Sequence, residues 1–577
     1  VFDHYYQAEL SYLREMGRSF ARKHPALAGM LAERSTDPDV ERLLEGFVFV
    51  AARLRQRIDD AAPELIESLV ELLLPHALRP TPAASIVQFC APTKAARGRV
   101  RVERGTRLLS KPAHGTRCTF TTTRAVDLLP VQLVSCRLDD GRSVKPELCL
   151  RFEAEPGAES AVYGREGLRL HLHGEHALTT QLYLWLARHL SGVSLRAADG
   201  RSVELGADSV RLPGFGNHDS LLPWPAFSPH SARVLLEYVT LPSKFLFIDI
   251  VALDRAAHVA SSSFELVLRF QKPPPLPSRL PEHTLRLHCA PIVNLFEVAA
   301  EPLRVGIDER ASLLRAAGVD PSHMEVFSVQ SVTGIAPSAE RRVYPPFHSF
   351  EQATRPASDV GYYKLTRALS PVDEGTHTSL ALHRSPEATL VRERETLSIE
   401  LLCTNRGLPV ELQVGDVATA SSDLPSGVTF SNIARLSPPL RAPLGSDLLW
   451  RLVSQLAITR RSLADRDTLI ALLSSYQLHD QSDRADTRAQ RARVAAIRSV
   501  GVETVTRVLG GVAARGSMYR VELDQAGFAS EGDVFLFGKV LHRVLALDAH
   551  VNTFADLHVS ISPSQLSFRY AAELSPQ

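Results

Sequence analysis

Apolar positions recur at helical spacing near both ends of the chain and at strand spacing between them. Within residues 2–25, Tyr6, Leu10, Leu13 and Phe20 fall on one helical face, Lys23 and His24 occupy the last turn, and Pro25 stops it. Asp37 before Pro38 is an N-cap followed by proline at the first helical position, so a second helix is predicted over 37–60. Its inward stripe is Val40, Leu43, Leu44, Phe47, Ala51, Leu54 and Ile58. Pro63 opens a third helix with Leu65, Leu69 and Leu73 inward, and Pro75 ends it.

Beyond Pro82 the period changes to two. Strands are predicted over 84–91, 97–110, 118–138, 168–175, 180–187, 241–253 and 263–272, punctuated by Gly, Pro and Asp, the pattern of a β-sandwich or barrel-like domain. The proline-rich stretch 272–282 reads as an extended connector or edge segment. Short strands with long turns continue to about 440, with 394–405 the clearest. Helix returns near 447, where Leu448, Leu449, Leu452, Val453 and Leu456 form one stripe, and Leu469, Leu472, Leu473 and Tyr476 form another. Residues 484–498 read as an arginine-rich solvated helix or linker, and the tail as strands 501–510 and 518–524, helix 532–549 and strand 557–562. The fold class is therefore multidomain α+β. It divides into an N-terminal helical region over 1–82, β-rich domains over 83–270 and 271–445, and a helical and small α+β region over 446–577.

Composition changes this picture little. At 577 residues the chain is too long for one core. Hydrophobic residues at 45% and charged residues at 22% are ordinary globular values, and a net charge of +1 gives no bulk pull toward nucleic acid or acidic lipid. No apolar run reaches the roughly twenty residues of a membrane span, and no basic-then-apolar signal segment opens the chain. Val1 implies a start a few residues upstream. Cys90, Cys118, Cys136, Cys149, Cys289 and Cys403 show no paired spacing, which predicts reduced thiols and a cytoplasmic protein.

Candidate chemistry is sparse. No phosphate loop, dinucleotide fingerprint, HExxH or GxSxG occurs, and GFGNHD at 214–219 does not complete a glycine motif and reads as a loop. His171 and His173 lie two apart on a predicted strand, so both face one way, and Glu175 continues that face; this is the one arrangement that suggests a metal-dependent hydrolase. The plainer reading is the polar face of an amphipathic strand backed by Leu168, Leu170 and Leu172. Arg97, Arg99 and Arg101 also share a face, which predicts solvent or a protein contact, because no aromatic residues interleave them as stacking on bases requires. Asp139-Asp140-Gly141 is a turn, and adjacent Asp59-Asp60 do not face each other on a helix. No cofactor, metal site or small-molecule substrate is expected. Tyr6, Leu10, Leu13 and Phe20, with Leu449, Leu452 and Leu456, pack either into their own domain or against another subunit.

Seven further stretches sharpen the reading. LLPWPAFSPHSARVLLEYVTLPSKFLFIDI (221–250), HCAPIVNLFEVAAEPLRV (288–305), MEVFSVQSV (324–332), YPPFHSF (344–350), LLCTNRGLPVEL (401–412), LLWRLVSQLAITRRSL (448–463) and FLFGKVLHRVLALDAHVNTFADL (535–557) follow the helical opening in order. Together they resemble the TssF family of type VI secretion baseplate components, from one end of the chain to the other. The resemblance implies a cytoplasmic, non-enzymatic scaffold docked at the inner membrane through the secretion machine. It would join TssG, TssK and a second copy of itself in a wedge, with TssE, the VgrG spike hub, the sheath and tube, and indirectly the membrane complex as neighbours. A wedge protein of a contractile phage tail is the related alternative, and 104–130 has that flavour. Ser231-Ala232, Thr459-Arg460 and Thr553 depart from the family words and suggest a divergent branch.

Overall fold

The computed structural model describes residues 6–7, 10–11, 42, 45–53, 70–71, 74–91, 99–139, 146–155, 162–164, 167–225, 228–259, 261–277, 279–305, 311–337, 340–347, 361–370, 375–383, 395–442, 444, 465–476, 485–509, 512–547 and 553–574. The chain forms two compact units, one of residues 1–73 with 444–456 and the other of 74–443 with 457–577. In the first unit the described residues 6–7, 10–11, 42, 45–53 and 70–71 are helical.

The second unit is built from mostly antiparallel sheets whose strands come from distant parts of the chain. A six-stranded sheet runs Val417–Ala420, Arg107–Ala113, Thr116–Thr122, Cys289–Val293, Ala84–Cys90 and Thr429–Asn432. Its two ends meet, because the Asn432 side chain accepts from the Gly415 and Val417 amides at 3.0 and 2.9 Å. The sheet thus curls over Phe89, Leu108, Cys118, Phe120 and Ile292, which fill its interior.

A five-stranded sheet (Ser202–Glu204, Leu190–Ala197, Ser263–Phe270, Glu147–Ala154, Val131–Asp139) and a four-stranded one (Val210–Arg211, Phe247–Ile250, Leu168–Leu172, Leu285–Leu287) share the largest core with three helices. These are α1 (His176–Arg188), α2 (His230–Thr240) and the later Glu531–Leu547. Between α2 and the last lie α3 (Arg466–Ser475) and α4 (Ala485–Ala495), which makes Glu531–Leu547 α5. The C-terminal sheet runs Ile497–Leu509, Val512–Asp524, Thr553–Ser562 and Ser567–Leu574. Its middle pair is parallel, as a connection through α5 requires. Residues 296–404 supply a separate sandwich, with Val332, Leu397, Ile399 and Leu401 of one sheet facing Leu380 and Leu382 of another.

The α+β, multi-sheet architecture is the one the hydrophobic pattern predicts, but several elements differ. Residues 180–187 are not a strand; they lie in α1. Thr179 through Leu186 are all buried, so the helix is apolar or satisfied on every side and its sequence alternation carries no face information. The 241–253 run opens with a 3-10 turn, Pro242–Phe245, and only Phe247–Ile250 is strand. The strand Ser567–Leu574 was not predicted. In the first unit Phe47 is not inward: Val48 and Ala52 are buried, whereas Phe47 is 63% and Val50 64% exposed. A helix with apolar residues on two faces offers two stripes, and periodicity alone does not choose between them.

Candidate assembly surfaces

Three buried polar clusters tie the second unit together. Glu237 on α2 is fully buried and accepts from Arg233 Nη1 at 3.1 Å, from the Leu221 amide at 2.7 Å and from Lys244. Burial pushes the Lys244 ammonium below its ordinary 10.5, although Glu237 pulls the other way. Asn294 and Asn405 clasp each other across two sheets: Asn294 Nδ2 donates to Asn405 Oδ1 at 2.8 Å, and the Asn405 amide returns a bond to Asn294 Oδ1 at 2.8 Å. Asp533, in the first turn of α5, accepts from Arg493 Nε at 3.0 Å and from His176 Nε2 at 2.9 Å. The predicted solvated helix is thus α4 with Arg493 turned inward, while Arg488 and Arg491 face solvent.

The residues singled out for chemistry do not converge. The strand ends at Leu172, Gly174 turns the chain at φ +131°, and Glu175 caps α1, its carbonyl accepting from the Thr179 amide at 3.0 Å. Glu175 therefore does not continue the His171–His173 face. Nor is that face solvated: His171 is 1% exposed and its Nε2 donates to the Ser243 carbonyl at 3.2 Å. Burial, with smaller contributions from neighbouring charges, holds His171 down to about 3 and His173 to about 4, so both rings are neutral at physiological pH. Among the described residues no three His, Cys, Asp or Glu side chains come together as metal ligands. GFGNHD is a turn, with Asp219 accepting from Arg124 at 2.6 Å and from the Gly214 amide at 2.9 Å. Arg99 and Arg101 do not form a bare solvent stripe: Arg99 pairs with Asp127 at 2.6 Å and Arg101 with Glu103 at 3.2 Å. Arg97 lies outside the described residues.

Of the partner-contact candidates, Tyr6 and Leu10 are helical and half-buried. Leu13, Phe20, Leu449, Leu452 and Leu456 lie outside the described residues. Outward apolar groups include Phe47, which periodicity assigns to the inward stripe, and Val50 in the first unit, and Val343, Phe347 and Leu369 in the second. Val343 and Leu369 sit on edge strands, Arg341–Val343 and Tyr362–Leu369. The signal that could have found the first pair is in the sequence: FVFV at 47–50 is apolar at four consecutive helical positions, more than one face can bury. Among the described residues no helix is long and apolar enough to cross a membrane.

Several sheets fastened by buried charges and amides, with large aliphatic and aromatic groups left outward on a helix and on sheet edges, define a multidomain, strand-rich α+β protein. A model of the family described as "Type VI secretion system, TssF" matches residues 1–573, and the chain belongs to that family. It is similar to the type VI secretion system component TssF1 of Pseudomonas aeruginosa, 30% identical over 593 residues, which span 96% of this chain and 95% of the relative. A chain in the structure of the type VI secretion TssK-TssF-TssG baseplate subcomplex superposes with a TM-score of 0.80 at 29% identity, covering 93% of this chain and 99% of that one. A chain of the type VI baseplate complex superposes with a TM-score of 0.59 at 26% identity, covering both in full.

Proposed function

We propose that this chain is a structural wedge subunit of a type VI secretion baseplate, joining TssG and TssK and acting through its surfaces without catalysis. The observation that carries this reading is the agreement in fold, nearly end to end, with a chain of the TssK-TssF-TssG subcomplex. Support comes from the outward Phe47 and Val50: fully burying each such side chain contributes about 1.5–3 kcal/mol, a gain available only on contact with something else. The predicted stripes Tyr6, Leu10, Leu13 and Phe20, and Leu449, Leu452 and Leu456, are proposed to belong to the same helical contact region. Wedges with a second copy of the chain would surround the VgrG spike hub, meet TssE, sheath and tube, and dock through the membrane complex at the cytoplasmic face of the inner membrane. The test is co-expression with the neighbouring TssG and TssK, followed by the mass of the purified assembly. A complex holding all three supports the reading; a chain that elutes alone from both partners overturns it.

A further inference from the structure

A half-open cleft of about 740 Å³ lies in the second unit between the ribbon Val100–Val102/Val126–Leu128 and the strands Leu168–Leu172 and Phe247–Ile250. Among the described residues six arginines line it, Arg99, Arg101, Arg104, Arg124, Arg169 and Arg211, against three carboxylates, Glu103, Asp127 and Asp249. Most of these charges are already answered. Asp127 takes Arg99, Glu103 takes Arg101, Asp249 takes Arg169, and Asp219 just behind the wall takes Arg124 at 2.6 Å. Arg104 and Arg211 are exposed, and neither has a carboxylate partner among the described residues. Between the charges the wall is aliphatic, from Leu129, Leu168, Val251 and Leu287.

We infer that this cleft binds an acidic, extended polypeptide segment of a neighbouring baseplate subunit, a proposal that rests on the assembly reading above. The two unanswered guanidinium groups offer planar forks that match carboxylates in bidentate geometry. The aliphatic wall takes apolar side chains alternating with the acidic ones along an extended strand. A nucleic-acid strand fits poorly, because among the described residues no Phe, Tyr or Trp lines the cleft as a stacking platform. A small ligand would be left largely wet in a cleft this open, whereas small-molecule sites enclose their ligands.

The probe is a fluorescein-labelled peptide alternating glutamate and leucine, titrated against the full chain by fluorescence anisotropy at low and at physiological salt. The expected result is saturable binding that weakens with salt and falls roughly ten-fold or more in Arg104→Glu/Arg211→Glu. The milder Arg104→Gln/Arg211→Gln variant should show an intermediate loss, and both should keep the parent melting temperature, since the two side chains are exposed. Equal binding by parent and charge-reversed chain overturns the proposal. So does displacement of the peptide by inorganic phosphate or by a single-stranded oligonucleotide, which would make the cleft a phosphate site. The peptide arm uses neither TssG nor TssK, so a parent chain that ignores both partners would sink the wedge reading and still leave the cleft result legible.

Discussion

Arg493 on α4 donates to Asp533 on α5 across 3.0 Å in a site where the carboxylate has no solvent exposure, 40 residues apart in sequence. The pair joins the arginine-rich helix to the first turn of the helix that closes the C-terminal sheet. Removing one partner leaves the other buried and unneutralised, which costs about 3–5 kcal/mol. Asp533→Ala is therefore expected to lower the urea midpoint of the second unit's unfolding strongly, and Arg493→Met/Asp533→Leu to recover part of the loss. Burial raises the Asp533 carboxyl, but the His176 hydrogen bond and the Arg493 and His176 charges outweigh it and hold it below the ordinary 3.8. Its contribution is thus fully present above that value and is lost as pH falls through the depressed one. Urea midpoints measured across the acid range in the parent and in Asp533→Asn would show the difference; equal midpoints at neutral pH would refute the role.

A second prediction concerns how closely α1 and α5 approach. A Cβ at Gly532 would lie 2.1 Å from the Thr180 carbonyl oxygen and 2.5 Å from the Gln181 amide nitrogen, both of them backbone atoms that do not swing aside. The Gly532 amide also donates to Gln181 Oε1 at 3.0 Å. Gly532→Ala must push the helices apart, and overpacking of this kind costs about 1–3 kcal/mol. Thermal unfolding should show a lower midpoint for Gly532→Ala, and no change for Gly501→Ala, whose Cβ would meet nothing.

Four buried or half-buried histidines make the fold acid-sensitive above the carboxylate range. Burial is the first cause in each: it holds His76 and His171 to about 3, and His173 and His288 to about 4. A histidine depressed in the fold takes up its proton first in the unfolded chain, near 6.5. Its stabilisation is therefore complete above that pH and is lost progressively as pH falls from about 6.5 toward 3–4. For the deeply buried His76 and His171 the slope is about 1.4 kcal/mol per pH unit each. His171→Gln, which keeps a donor for the Ser243 carbonyl and does not titrate, should flatten the fall in urea midpoint between neutral pH and pH ~5. An unchanged slope would show that His171 is not held neutral. Chelator treatment should leave the midpoint unmoved, in contrast to what a His171/His173 metal centre requires.

These elements also show what was legible in the linear chain. The first part of the strand Glu395–Thr404, where Glu395, Leu397, Ile399 and Leu401 are buried in alternation, and the helix stripe of Leu469 and Leu473 are readable because each buries one side, so period and burial coincide. In α1 they do not: Tyr183 and Trp185 are as buried as Leu182 and Leu184, and the alternation that looks like a strand arises because every face is covered. The Asp533 cluster was not readable, since His176 is 357 residues from its carboxylate partner and no spacing rule spans such a gap. The same holds for the Asn294–Asn405 clasp, 111 residues apart, although both asparagines sit in stretches that carry the family resemblance. Sequence words marked the places; only the topology shows that they touch.

The last prediction tests the outward face at the start of the chain. Phe47, Val50 and Ala51 stand at i, i+3 and i+4, while Val48 and Ala52 point into the first unit and are buried. On the assembly reading proposed above, the exposed Phe and Val in register are the stripe offered to a neighbour, because they gain nothing from water. Phe47→Asp/Val50→Asp should therefore leave the unfolding midpoint of the isolated chain within about 0.5 kcal/mol of the parent, as surface substitutions do. In co-expression with TssG and TssK the same variant should lose co-purification, since a charge placed in an apolar contact costs several kcal/mol unless it is paired. Val48→Asp supplies the contrast, unfolding the helix region itself. A Phe47→Asp/Val50→Asp chain that still joins both partners with parent affinity would remove this face from the assembly and move attention to Val343, Phe347 and Leu369 on the sandwich edge.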